Sequence, residues 1–213
     1  MNFQSAALAD ESKTRILSAA EALFARRAIE SVSFREIARL AGHRNTNAVQ
    51  HHFTDRDGLV QAIFAWRVTQ MEGPRGRALE AADRAGKPLG ISALLRVLCE
   101  PVLDLTDDDG HHTYAGFMSQ YLLHHRPAGV LHASDTRPEL SSNLNEIQRR
   151  LFDAIGVSDP AMFDYRIATV YLIVMNAIVL CDNEKPDHDN KALVRSRFEE
   201  AIRMASAALK TSI

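Results

Sequence analysis

Apolar residues recur along this 213-residue chain at helical spacing almost throughout, and they nowhere alternate over a useful length in the two-residue period of a half-buried strand. That restricts the chain to an almost all-α fold. Ile16, Ala20, Leu23 and Phe24 line one face of a first helix at about 13–27. Leu140, Leu144, Ile147, Leu151 and Ile155 make a stripe farther on, and Val194, Phe198, Ala201, Ile202, Ala205, Ala208 and Leu209 make another. Between these stripes, Ile167 to Cys181 is a stretch of 15 residues that is apolar nearly all round, interrupted by Thr169 and Asn176. It falls short of the roughly 20 residues that span a bilayer, so the spacing predicts a buried helix over 160–182 rather than a membrane span. Such a helix needs cover on every side, and a second copy of the chain is one natural cover.

Composition narrows the class further. With 46% hydrophobic residues the chain can bury a sizeable core, either as one domain or as a small domain joined to a larger one. Cys99 and Cys181 are too few for a disulfide framework and lack the spacing of a zinc or redox motif. The start MNFQSAALADESK has no basic segment followed by an apolar core, so a cytoplasmic protein is expected. Net charge is only −2, but residues 1–67 carry 9 Lys and Arg against 7 Asp and Glu, while the remainder carries 16 against 20. A mildly basic head on an acidic body is compatible with phosphate contact.

The head carries the sharpest local signals. Ser33-Phe34-Arg35-Glu36 has the capping-box pattern and starts a second helix, which packs Phe34, Ile37, Ala38 and Ala41 inward and stops at Gly42. Asn45 is a good cap for a third short helix through Val49 to His52. Two short helices, a tight turn with Gly and a preceding helix to pack against form the layout of a helix-turn-helix. Thr54 or Asp55 can cap a fourth helix with Leu59, Val60, Ile63 and Phe64 as its apolar stripe, running to about Glu72, where Gly73-Pro74 should break or kink the chain. Further helices are expected at 75–85, 89–104, 112–125, 138–155, 160–182 and 190–210, joined by turn-rich links such as AGKPLG, TDDDG, RPAG, GVSDP and DNEKPDHDN.

In order and spacing, TRILSAAEALFARR, SFREIARLAG, AVQHHF and TDRDGLVQAI resemble the DNA-binding head of the TetR family of bacterial transcriptional regulators. The resemblance covers about 14–65, and the rest of the chain matches only in being helical and of suitable length. It implies a head at 1–54 and a helical effector-binding and dimerisation domain at 55–213. Three positions depart from the family pattern. Ala28 stands where Gly is common after the first helix, so either the helix ends differently or Ala adopts a left-handed conformation at a cost of about 1 kcal/mol. One extra residue lies in the turn at His43 or Arg44, and Gln50 stands where Tyr is usual.

In a helix-turn-helix the second helix of the motif lies in the major groove and presents side chains to base edges. Asn and Gln can donate to and accept from adenine, and Arg matches guanine. Arg44, Asn45, Asn47 and Gln50 are therefore the candidate base readers, with Asn45 equally suited to be only a helix cap. Resemblance and chemistry together make Ser33, Thr46, His51, His52 and Arg56 the candidate phosphate contacts. His51 and His52 do not suit a metal, because adjacent helical residues point about 100° apart. His111-His112 and His124-His125 do not suit one ion either, since on a continuous helix about 1.5 Å per residue would separate His111 from His125 by roughly 21 Å.

No metal or cofactor is expected, and no enzymatic motif stands out. Phe117, Met118, Tyr121, His124, Tyr165, Tyr171, Met175 and Asn176 mix aromatic walls with polar handles and are candidates for an effector pocket, with ordinary core packing as the alternative for each. The resemblance implies a homodimer built on the last two long helices, a double-stranded DNA operator of near-palindromic sequence, a small-molecule effector and repression. The rival reading is an α-helical enzyme or small-molecule carrier in which the helix-turn-helix is vestigial.

Overall fold

The computed structural model describes residues 3–127, 129–184 and 190–210. Among these residues it has ten α-helices and no strand, as the periodicity requires. The head consists of α1 (Phe3–Arg26), α2 (Phe34–Leu40) and α3 (Asn47–His52). The long α4 (Arg56–Arg84) leads into the body, which contains α5 (Ile91–Cys99), α6 (Thr113–Gln120), the short α7 (Ala133–Thr136), α8 (Ser142–Ile155), α9 (Pro160–Asp182) and α10 (Asn190–Leu209). A 3-10 turn follows α5 at Glu100–Asp104, and a π-helical turn extends α6 through Tyr121–His125.

Several elements differ from the sequence reading: α7 is not among the expected helices, α5 gives way to the 3-10 turn at Glu100, α8 starts at Ser142 rather than 138, and three further differences have a physical reason. α1 begins at Phe3, well ahead of the expected residue 13. Its other end needs no strained residue: the helix stops at Arg26, and Ala28 is extended at φ −52° and ψ 132° before a 3-10 turn at Ile29–Ser31. The second difference is α4, which continues through Gly73-Pro74 for 29 residues. Gly73 has no Cβ to clash with the proline ring, and Met71, Arg75 and Leu79, one turn apart, are all buried, so tertiary packing holds the helix across the missing N–H. Third, α9 is not covered on every side. It packs against α6 and α10 and buries Val170, Val174 and Ile178, while Tyr165 is 68% and Leu180 63% exposed. By length and composition alone α9 could cross a bilayer. The DNEKPDHDN link falls largely outside the described residues.

One hydrophobic core runs from the head into the body. Phe24 of α1 meets Phe117 of α6 at 6.2 Å between ring centroids, and Phe117 meets Phe64 of α4 at 5.1 Å. α1 lies directly along α6, where Gly116 lets the helices close: a Cβ there would lie 2.9 Å from the Cβ of Ala25.

Candidate nucleic-acid interface

The head's two short helices are held at both ends by local chemistry. Ser33 accepts a hydrogen bond from the Glu36 amide, and the Glu36 carboxylate takes the Ser33 N–H in return, so the capping box forms as expected. These bonds from Ser33, with the Arg27 guanidinium 3.0 Å away, hold the Glu36 carboxyl down at about 2. At the other end Gly42 adopts φ 77°, the Gly42 N–H reaches the Arg39 carbonyl at 3.2 Å, and the His43 N–H reaches the Ala38 carbonyl at 2.8 Å. That pair of bonds is a Schellman closure, available because glycine enters the left-handed region freely. His43 Nε2 then lies 3.2 Å from the Ser12 hydroxyl, tying the turn back to α1. Arg56 donates to the Val32 carbonyl at 2.9 Å, and Asp55 caps α4 by accepting from the Gly58 N–H at 2.7 Å.

On this frame α3 turns Val49 into the core and leaves Asn47, Gln50 and His51 exposed at i, i+3 and i+4. Arg44 and Asn45 are exposed in the turn that leads to it, and Thr46 is half-buried. The candidate readers are thus brought onto one side of the head, with Asn45 partly committed: its Oδ1 accepts from the Asn47 N–H at 3.1 Å. Ser33 is exposed at the start of α2, and Arg56 is half-buried at the start of α4. His52 is half-buried beside Phe53, and burial first, then the charges of His51, Lys13 and His43, push its imidazole below the ordinary value of 6.5.

Residues 16–63, spanning α1 to the first turns of α4, match the model for bacterial regulatory proteins of the tetR family. Over these residues the chain is similar to the DNA-binding head of that family. The solved structure of a protein described as a TetR-family transcriptional regulator from Mesorhizobium loti MAFF303099 is 17% identical and covers 93% of this chain and 96% of that one, at a TM-score of 0.42. No curated protein matches the chain. The match therefore rests on the head alone, where residues 16–63 form a helix-turn-helix of the type found in DNA-binding transcriptional regulators.

The body of the chain contains a cavity of about 100 Å³ between α4, α5, α6, α8 and α9. Met118, Tyr121 and Tyr171, three of the sequence candidates, line it. The other five lie elsewhere. Phe117 and Met175 are in the core, His124 and Tyr165 are exposed, and Asn176 is exposed on α9 with its amide donating to the Leu172 carbonyl at 2.9 Å. His112 and His125 take separate structural partners. His112 pairs with Asp182 at 2.9 Å, and His125 pairs with Glu30 of the head at 3.1 Å. Asp107, Asp109 and His111 bring ligand-type atoms within 4.8 Å of one another before α6, but Asp107 Oδ1 already accepts from the Asp109 and His111 amides.

Two features escaped the sequence reading because charged residues on a helix ordinarily signal a solvated face. Glu21 of α1 is fully buried, receives two bonds from Arg67 of α4 at 2.7 and 2.8 Å, and accepts from the Thr113 hydroxyl of α6 at 2.6 Å. Arg75 of α4 is buried against the cavity. The only available signal was position: Glu21 lies one residue from Ala20 on the core face of α1, and Arg75 lies one turn from Met71.

Proposed function

We propose that this tetR-family regulator is a ligand-responsive repressor that docks as a homodimer on a near-palindromic operator. The observation that carries the reading is the polar face of α3, where Asn47 and Gln50 are exposed while Val49 anchors the helix from behind. Asn47, Gln50, Arg44 and the free amide of Asn45 read base edges. Ser33, Thr46, His51, His52 and Arg56 fix the head to phosphates. Residues 1–54 act as the reading head, and residues 55–213 bind the effector and form the dimer. The partly apolar exposed face of α9, with Met204 of α10, supports a second copy as its cover. The protein works in the cytoplasm and as a regulator rather than as an enzyme.

Coupling follows from packing. The cavity is walled by α4 and α6, and both helices meet α1 through the buried Glu21–Arg67–Thr113 cluster. An effector that favours one arrangement of α4 and α6 therefore biases the position of the head. In a dimer whose half-sites lie about 34 Å apart or a multiple of that, a small pivot of each head prevents simultaneous docking.

Footprinting the purified chain on the DNA flanking its own gene tests the reading. The expected result is saturable protection of two related half-sites, with affinity falling steeply as salt rises. Asn47→Ala or Gln50→Ala should weaken binding by ~1–3 kcal/mol and relax preference at one base pair, whereas Arg56→Ala should weaken all sequences about equally. An enzyme or carrier with a vestigial head gives no protected site, and that outcome would reject the proposal. If neither α3 variant changes affinity or preference at a confirmed operator, the reader assignment fails.

A further inference from the structure

We propose that the body cavity takes a small organic acid, whose carboxylate is bound by Arg75 and whose apolar part lies among Met71, Leu98, Met118, Leu144 and Ile167. This deepens the ligand-responsive reading and rests on the cavity being the effector site.

Arg75 has an unfinished hydrogen-bond set among the described residues. Arg75 is 2% exposed, and its Nη2 donates to the Leu98 carbonyl at 2.9 Å and faces the Met71 sulfur at 3.6 Å. Its Nε and Nη1 are buried with no hydrogen-bond partner among the described residues. Buried guanidinium donors are rarely left in that state, because desolvation is costly unless acceptors replace the lost water. The nearest carboxylate does not supply them. Glu72 stands 3.8 Å from Nη1, and its oxygens are occupied by the N–H groups of Asn143 and Leu144 at the start of α8, at 2.7 and 3.1 Å.

The other charged groups around the cavity are either spent or at its edge. Asp135 is paired with Arg126 at 2.7 Å and also accepts from the His132 N–H. Asp164 is exposed. His132 is buried, and its Nδ1 accepts from the Ser134 N–H at 3.1 Å, which leaves Nε2 to carry the ring hydrogen. The open demand inside the cavity is therefore for acceptor oxygens beside Arg75, with apolar surface on the remaining walls. A carboxylate on a compact hydrocarbon body meets both requirements.

Isothermal titration of the full chain with benzoate and hexanoate, against benzamide and hexanamide, tests this. The two acids should bind saturably and raise the melting temperature, and the amides should bind at least about tenfold more weakly. Arg75→Gln should remove that preference, and Arg75→Lys should keep part of it. The comparison of acid with amide on the unaltered chain does not depend on any variant folding. Equal binding of acid and amide, absence of binding by both acids, or a preference that survives in a folded Arg75→Gln protein would overturn the proposal. Adding the acids to a complex with operator DNA separates the two readings: acids that bind through Arg75 yet leave DNA affinity unchanged uphold the anion site and reject the ligand-responsive regulator.

Discussion

Side chains that look available for DNA differ in how far the fold has already claimed them. Ser33 is fully engaged with Glu36, both as acceptor and through its own hydroxyl at 2.9 Å, so a phosphate contact there must share the capping box. Asn45 has one oxygen committed to the Asn47 amide. Asn47 and Gln50 are exposed and keep both halves of their amides, which makes them the stronger candidates for base reading. His132 shows the same logic inside the body. Burial holds its imidazole at about 4, against an ordinary 6.5, so below pH 6.5 the unfolded chain binds a proton that the folded chain resists. Stability from this residue is present in full above pH 6.5 and is lost as pH falls toward 4, amounting to ~3 kcal/mol at most. Urea denaturation between pH 7 and pH 4 should show that decline. In His132→Asn, which keeps an acceptor for the Ser134 N–H, the slope above pH 4.5 should flatten. An unchanged slope would remove His132 as its source.

At the scale of elements, what the sequence made legible was local, and what it hid was tertiary. The capping box at Ser33, the glycine stop at Gly42 and the cap at Asp55 depend on neighbours within four residues, and each forms as read. Gly73-Pro74 also reads locally, as a break, yet the buried face of Met71, Arg75 and Leu79 overrides it. The pocket candidates on α9 were limited by phase, because an apolar helix does not announce which side faces a cavity: Tyr171 lines it while Tyr165 faces away. Glu21 and Arg67 were invisible for the same reason, their partners being 46 residues apart in sequence. Their pairing predicts a particular mutational pattern. Glu21→Leu leaves Arg67 buried without a countercharge and should cost ~3–5 kcal/mol in urea unfolding. Glu21→Leu with Arg67→Met removes both charges and should recover most of that loss. If the double variant is as unstable as the sum of its parts, the two side chains contribute independently and the buried pair is not the unit that joins α1 to α4.

For the whole molecule, the proposed function requires the head to be used twice, once in each of two copies. Met162, Tyr165 and Leu180 on α9 are 37%, 68% and 63% exposed, and Met204 on α10 is 50% exposed, a run of apolar surface that a second copy would bury. Thr169 and Asn176 lie on the same exposed side of α9, and both turn a hydrogen bond back onto their own helix, at 2.8 and 2.9 Å, so neither opposes such an apolar contact. Light scattering should therefore give about twice the 23.7 kDa chain mass for the unaltered protein. Tyr165→Glu with Leu180→Arg, which places charge in the middle of that surface, should give the single-chain mass while leaving helical content unchanged. Once the link between two heads is broken, the second head no longer binds at the high effective concentration set by the first, and operator affinity should fall roughly 10²–10⁴-fold. Each head should still protect a half-site at higher protein concentration, because α3 and its frame lie far along the chain from the altered surface. A variant that stays dimeric would place the interface elsewhere, and a monomer that binds the full operator undiminished would show that the two half-sites are read independently.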